Sequence, residues 1–237
     1  MGYKTELHCH SGVVSSCGRL SPERIVERYL EHGYSTVVIT DHLSRYSFEA
    51  GNYGGKDDWD EKVDFFLTSY QLLQKAAAGK LNVLLGMEAR LHGHHAADYL
   101  VYGVTEEFLR AHSGLLSYHF KDFSKAVRGA GMLLVQAHPF RNHMLVTPPD
   151  RLDGVEIYNG HEKQTSDFRN RMAATWAEHY DLIPTSGSDL HTEDMTISGG
   201  IETDEPITSN EQLIEILRSR NYSILRRDEA PAEPDKK

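Results

Sequence analysis

Blocks of apolar residues recur along the chain and switch between two periods. Short β-branched or apolar runs read as strands at Tyr3–His10, Ser35–Thr40, Asn82–Glu88, Asp98–Val104, Met132–Ala137, Val155–Asn159, Leu182–Thr185 and Tyr222–Leu225. Between them, apolar residues three and four apart predict helices. One starts at Pro22 behind a Ser21 cap, with Ile25, Val26, Tyr29 and Leu30 on one face and Gly33 as its stop. Others cover about 60–78, 106–111, 123–129 and 166–179, and a last one follows the capping box Ser209-x-x-Gln212. The Gly-, Ser- and Tyr-containing stretch from Leu43 to Asp58 reads as a long loop that could cover a site as a lid.

Repeated strand and helix units predict a parallel sheet with right-handed crossovers. The expected architecture is α/β, a closed or nearly closed β/α barrel in a single domain over 1–225, with a disordered, charged tail at 226–237. A doubly wound open sheet is the alternative, but no Gly-x-Gly-x-x-Gly follows the first strand.

A length of 237 residues suits one large core. With 35 acidic and 25 basic residues, the net charge of -10 argues against long nucleic acids as substrates and leaves small phosphate esters open. No apolar run is long enough to span a bilayer, and Met1-Gly2-Tyr3-Lys4 leads straight into the first strand, so neither a membrane nor secretion is expected. Two cysteines without framework spacing suit a reducing compartment, and the cytoplasm is the expected location.

The chemistry concentrates at strand ends. In an extended segment His8 and His10 share a face and can chelate one metal ion, while Leu7 and Cys9 face the other way. Later strands end in Thr40-Asp41-His42, Gly86-Met87-Glu88 and Ser186-Gly187-Ser188-Asp189-Leu190-His191. On a β/α barrel, all of these endings would lie at one mouth.

Together with Leu20-Ser21-Pro22 and Ala137-His138-Pro139-Phe140, this ordered set resembles the PHP family, named for the domain shared by some bacterial DNA polymerases and by histidinol phosphatases. The resemblance implies a distorted (β/α)7 barrel, two or three divalent metal ions and hydrolysis of phosphate esters. It implies that His8, His10 and Asp189 hold one metal, that Glu88 bridges it to a second held also by His138, and that His42 and His191 hold a third. Many relatives carry a histidine where Asp98 stands, so Asp98 becomes an oxygen ligand of the second metal. Relatives also place His, Glu or Asp in the loop occupied here by Val13 to Cys17; Val13 cannot ligate and Cys17 is an unusual substitute.

Mixed imidazole and carboxylate ligands suit Zn, Mn or Fe. Two such ions would hold a bridging hydroxide for in-line attack on a small phosphorylated substrate, either a phosphomonoester such as histidinol phosphate or a nucleotide phosphoester. Asp189 and His191 count as catalytic as well as ligating residues. Arg141 and Arg19 are candidates to stabilise transition-state charge, against a competing reading as surface ion pairs, and His161 or His143 could protonate the leaving alkoxide or touch substrate. His92, His94 and His95 form a possible extra site or a solvated loop. His119 reads as packed or surface-exposed, and His32, His112 and His179 lie near helix ends. Cys9 is expected to face the core and be inert, while Cys17 could be a ligand, a redox liability that disables the site, or a small buried residue. The competing functional readings are a catalytically weakened metal-binding or regulatory module, and a barrel metal hydrolase acting on a non-phosphorylated substrate.

Overall fold

The computed structural model describes residues 2–49, 53–92 and 96–227. Its first unit runs from β1 (Tyr3–Cys9) through α1 (Pro22–Glu31) to β2 (Tyr34–Ile39). Ser21 caps α1 by accepting from the Arg24 amide, and Gly33 takes φ 73° just beyond its end. The chain continues through β3 (His42–Ser44), α2 (Arg45–Glu49), α3 (Trp59–Ala77), β4 (Asn82–Arg90), β5 (Tyr99–Tyr102), α4 (Glu106–Ala111), α5 (Phe120–Gly129) and β6 (Leu133–Gln136). It ends with β7 (Gly154–Asn159), α6 (Asp167–His179), β8 (Ile183–Gly187), β9 (Gly200–Thr203), α7 (Asn210–Ser219) and β10 (Ser223–Leu225).

These strands form a nearly closed barrel in the order β10-β9-β1-β2-β4-β5-β6-β7-β8, with β3 extending β2's path along β4. The expected all-parallel wall is corrected to a mixed one. β5 runs antiparallel to both β4 and β6, and β9 is antiparallel to β1 and β10. Reversal of β5 has a direct consequence, because it places the residue before its first position, Asp98, at the mouth where the parallel strands end. The short strand β9, with glycine at its start and one glutamate, carries too little apolar pattern to be read from sequence.

The expected lid at Leu43–Asp58 is also corrected in its first part. His42 to Ser44 pairs in register with Glu88 to Arg90, and α2 follows at once, with Phe48 buried in the core. Ser44 and Ser47 hydroxyls hold this corner, Ser47 donating to the His42 carbonyl at 2.6 Å. Polar composition suggested a loop, but serines spent on local backbone bonds stabilise this turn. Residues 50–52 and the tail from 228 lie outside the described residues.

α7 plugs the end of the barrel opposite the mouth. Leu213 and Leu217 pack with Leu7, Val38, Leu84, Leu100, Leu133 and Ile201, and Asn210 donates to the carbonyls of Leu85 and Val104. Leu7 therefore lies in the barrel interior, whereas Cys9 packs among α1 residues, so the two do not share a face as expected. The register of β1 on β2 shifts between Glu6 and Cys9, which breaks simple alternation there.

Closure depends on the approach of β8 to β1. Cys9 bridges Leu190, and the His10 amide donates to the Leu190 carbonyl at 3.0 Å. The buried Glu6 carboxylate accepts from the amides of Leu7, His8 and Ser188, crossing the seam. Gly187 leaves the necessary space, because a Cβ there would lie 2.2 Å from the His8 Cβ. Gly187→Ala should therefore destabilise the protein by about 1–3 kcal/mol. Urea unfolding checks this against Gly129→Ala, at the end of α5, where a Cβ meets nothing within 4 Å and the substitution should be neutral or stabilising.

Candidate metal centre

Seven polar side chains from six chain segments converge at the mouth. His8 and His10 leave the end of β1, His42 opens β3, Glu88 lies in β4, and Asp98 precedes β5. His138 follows β6 at φ 28°, and Asp189 follows β8 at φ 52°. Non-glycine residues in this left-handed region are strained, and both strained positions here turn a side chain into the site.

The distances are short. His8 Nε2 and His10 Nε2 lie 3.0 Å apart, and each is 3.2 Å from Asp189 Oδ1. Glu88 Oε2 is 3.6 Å from His8, 3.4 Å from His10 and 2.8 Å from His42 Nδ1, while Glu88 Oε1 is 3.0 Å from His138 Nε2. Two facing imidazole nitrogens can share at most one proton between them. Glu88 Oε2, on a residue only 1% exposed, accepts no aligned hydrogen bond among the described residues. Electron-rich atoms brought face to face in this way are relieved by a cation, and an imidazole–carboxylate set fits a divalent transition metal. Four such groupings have donor atoms within 4.8 Å of one another: His8, His10 and Glu88; His8, His138 and Asp189; Glu88, Asp98 and His138; and His10, His42 and His191.

Charge follows the same arrangement. Burial opposes ionisation of Glu88, but His42, His8 and His138 hold it well below the usual carboxylate range. Asp189 is likewise depressed against burial by His8 and His191. His10 is pushed well below its ordinary value by burial and by the neighbouring His191 and His42 imidazoles, leaving it neutral, the form that donates a lone pair.

A layer behind these residues was missed by sequence reasoning. Glu156 takes His8 Nδ1 at 2.8 Å, which turns Nε2 toward the site, and its other oxygen accepts from the His138 amide and the Asn159 side chain. Asn159 also donates to Asp189 at 3.1 Å. The available signal was a carboxylate inside the apolar strand Val-Glu-Ile. Asp41 accepts from Ser11 and Ser15 and so organises the loop after β1, with Ser15 Oγ 3.3 Å from His10 Nδ1.

Asp98 occupies the expected place, but Arg90 engages both of its oxygens and Arg141 approaches at 3.3 Å. It lies 3.9 Å from His138 Nε2. Above the buried cluster opens a cavity of about 390 Å³ lined in part by His42, Glu88, Arg90, Arg141, His161 and His191. Arg141 is also 4.0 Å from Asp189. His161 is buried with Nδ1 unpartnered among the described residues, its ring 5.5 Å from that of His191.

Arg19 is a correction. Its amide donates to the His191 carbonyl, but its side chain is exposed and does not line the cavity, so backbone anchoring accounts for its position beside the site. His143 is exposed on a left-handed turn. His119 is exposed at the start of α5, while His32 and His112 bond helix-terminal carbonyls at 2.8 Å. His94 and His95 lie outside the described residues. Val13 packs against the apolar core. Cys9 is buried, and burial raises its thiol. Cys17 is exposed on the cavity wall; burial opposes its ionisation, but the His191 and His42 rings beside it bring its thiol down to about 6.

Removing the charge behind His8 should loosen whatever the front residues hold. Glu156→Gln is expected to weaken divalent-metal affinity by about 10–100-fold with the fold retained. Competition against a chromophoric chelator, with circular dichroism alongside, measures both.

Comparison with known proteins agrees with this architecture. A 5'-3' exoribonuclease of Haemophilus influenzae is 26% identical over 254 aligned positions, which cover 81% of this chain and 91% of that protein. A two-domain Bacteroides vulgatus protein containing a predicted PHP-like metal-dependent phosphoesterase shares the fold at TM-score 0.68 and 15% identity over 94% of this chain; the chain spans 64% of that structure's length. An amidohydrolase of Chromobacterium violaceum with bound sulfate and no metal superposes at TM-score 0.58 and 18% identity, over 94% of this chain and 98% of that one. The PHP domain profile matches residues 6–220, which include every converging residue described above, and the chain belongs to the PHP domain family.

Proposed function

We propose that this chain is a metal-dependent phosphoesterase acting on a small phosphorylated substrate, with Zn, Mn or Fe as its metal and the cytoplasm as its location. The observation that carries this reading is the facing of His8, His10, Glu88, His138 and Asp189 beneath a cavity walled by Arg141 and His161. His8, His10 and Asp189 would hold one ion, Glu88 would be shared with a second held by His138, and His42 and His191 would hold a third. Asp98 would contribute to the second once Arg90 and Arg141 share their charge with substrate. Such ions, when bound, lower the pKa of water and neutralise charge on a phosphoryl group.

The remaining work falls to the chain's own side chains. Arg141, half-buried on the cavity wall, presents a planar fork that matches two phosphoryl oxygens. His161 supplies a proton to the departing oxygen. Burial lowers the pKa of its imidazole, and a phosphate dianion beside it would favour the protonated form. No Ser or Cys nucleophile is needed. Within this class a nucleotide phosphoester is favoured by the relative named as an exoribonuclease, and the overall charge of -10 favours a short one.

Chelation, His8→Ala or Asp189→Ala should each abolish phosphate release from a panel of phosphomonoesters and nucleotide release from short oligonucleotides. A metal-loaded wild-type protein inert on the whole panel would overturn the reading. His161→Asn should lower kcat by about 10²–10⁴-fold for alkyl phosphates with little change in KM. With 4-nitrophenyl phosphate, whose leaving group needs no proton, the loss should shrink sharply; equal losses on both substrates would remove His161 from that role.

A further inference from the structure

The mouth cavity does not end at the metal centre. On the side of β3 it borders a second recess of about 300 Å³, and Ser44, Tyr46 and Arg90 line both spaces. Strand register explains why these residues meet. Ser44 pairs with Arg90 across β3 and β4, and α2 starts at the next residue, so Tyr46 lies beside the passage between the two. Asp98 engages Nε and Nη2 of Arg90, which holds the guanidinium in place and leaves Nη1 as its remaining donor nitrogen.

Within α2 two aromatic residues point to opposite fates. Phe48 is buried against Tyr53 and Phe65, whereas Tyr46 is 66% exposed. The backbone around Tyr46 is nonetheless fixed, because hydrogen bonds joining Ser47 to Ser44 and to the His42 carbonyl brace the turn. A ring held this way is a preorganised flat surface. The recess wall adds the buried Leu91 and His92, whose amide donates to the Leu116 carbonyl at 2.8 Å. His92 Nε2 is shielded from solvent and has no hydrogen-bond partner among the described residues, so the polar edge of a ligand would satisfy it.

We propose that this recess seats one base of a short oligonucleotide, stacked on Tyr46, while the phosphate attached to that nucleoside reaches the mouth past Arg90. A nucleobase meets both demands of the recess, presenting a π face to the Tyr46 ring and a polar edge to His92 Nε2. An alkyl chain would leave the nitrogen unsatisfied, and a sugar lacks the flat face. Stacking on an aromatic ring accepts any base, so the recess selects for the presence of a base and not for sequence. Tyr46 thereby favours nucleotide esters over phosphate esters that carry no base. The inference rests on the phosphoesterase reading of the mouth.

The probes are a 5'-phosphorylated dinucleotide and its two analogues with an abasic sugar at one position or the other, each given to the metal-loaded full chain. Wild type should lose about 5–150-fold in kcat/KM when the seated base is the one removed. Tyr46→Ala should lose a similar factor on the intact dinucleotide and nothing further on that abasic analogue, because removing the ring and removing the base delete the same interaction. Tyr46→Phe, which keeps the ring, should restore the discrimination. The subsite would be overturned by wild type cleaving all three probes alike, by Tyr46→Ala losing equally on all three, or by failure of Tyr46→Phe to restore the difference. Wild type active on phosphomonoesters and inert on the dinucleotide would overturn it too, with the phosphoesterase reading left standing. Metal-loaded wild type inert on every phosphate ester would instead overturn that reading beneath it.

Discussion

Approach of β8 to β1 is the constraint on which the site depends. His8 and Asp189 are 181 residues apart in sequence yet end 3.2 Å apart, because the barrel closes where these two strands meet. Three features make that seam possible: a glycine at position 187 where a side chain would strike His8, a second close approach at Gly199, and the buried Glu6 carboxylate that satisfies amides from both sides. Burying a carboxylate is costly unless its oxygens are bonded, and Glu6 is bonded through both, Tyr29 taking the second at 3.1 Å.

The cost of assembling the mouth is spread outward in layers. Front atoms face one another with few protons to share. Behind them Glu156, Asn159, Asp41 and Ser15 fix ring orientation with ordinary hydrogen bonds. Strained backbone at His138 and Asp189 persists because the surrounding strands and bonds over-determine it. Arg90 and Arg141 balance Asp98, so the rim carries positive charge where a phosphoryl group would enter, in a chain whose overall charge is negative.

Much of this was legible in the residue pattern. Apolar and β-branched runs located β2, β4, β6 and β7 to within a residue or two, capping residues located α1 and α7, and the apolar period located α3, because strand runs, helix caps and helical periodicity are local signals. His-x-His, Glu88, His138 and Ser-Asp-x-His stood out because ligand chemistry sits at strand ends on such barrels. What escaped was non-local. The reversal of β5 and the pairing of β9 depend on distant partners, and Glu156 gains its meaning only from His8 across the barrel. Arg19 shows the converse: adjacency in sequence to a site element anchored its backbone without directing its side chain inward.

The central claim is that these facing atoms surround neighbouring metal ions. Anomalous diffraction from crystals grown with Mn(II) or Zn(II) tests it most directly. The account predicts at least two peaks about 3.5–4 Å apart, flanking Glu88 and touching His8, His10, His138 and Asp189. Density showing these side chains bonded only to one another and to water, with any peaks confined to the outer surface, would contradict it.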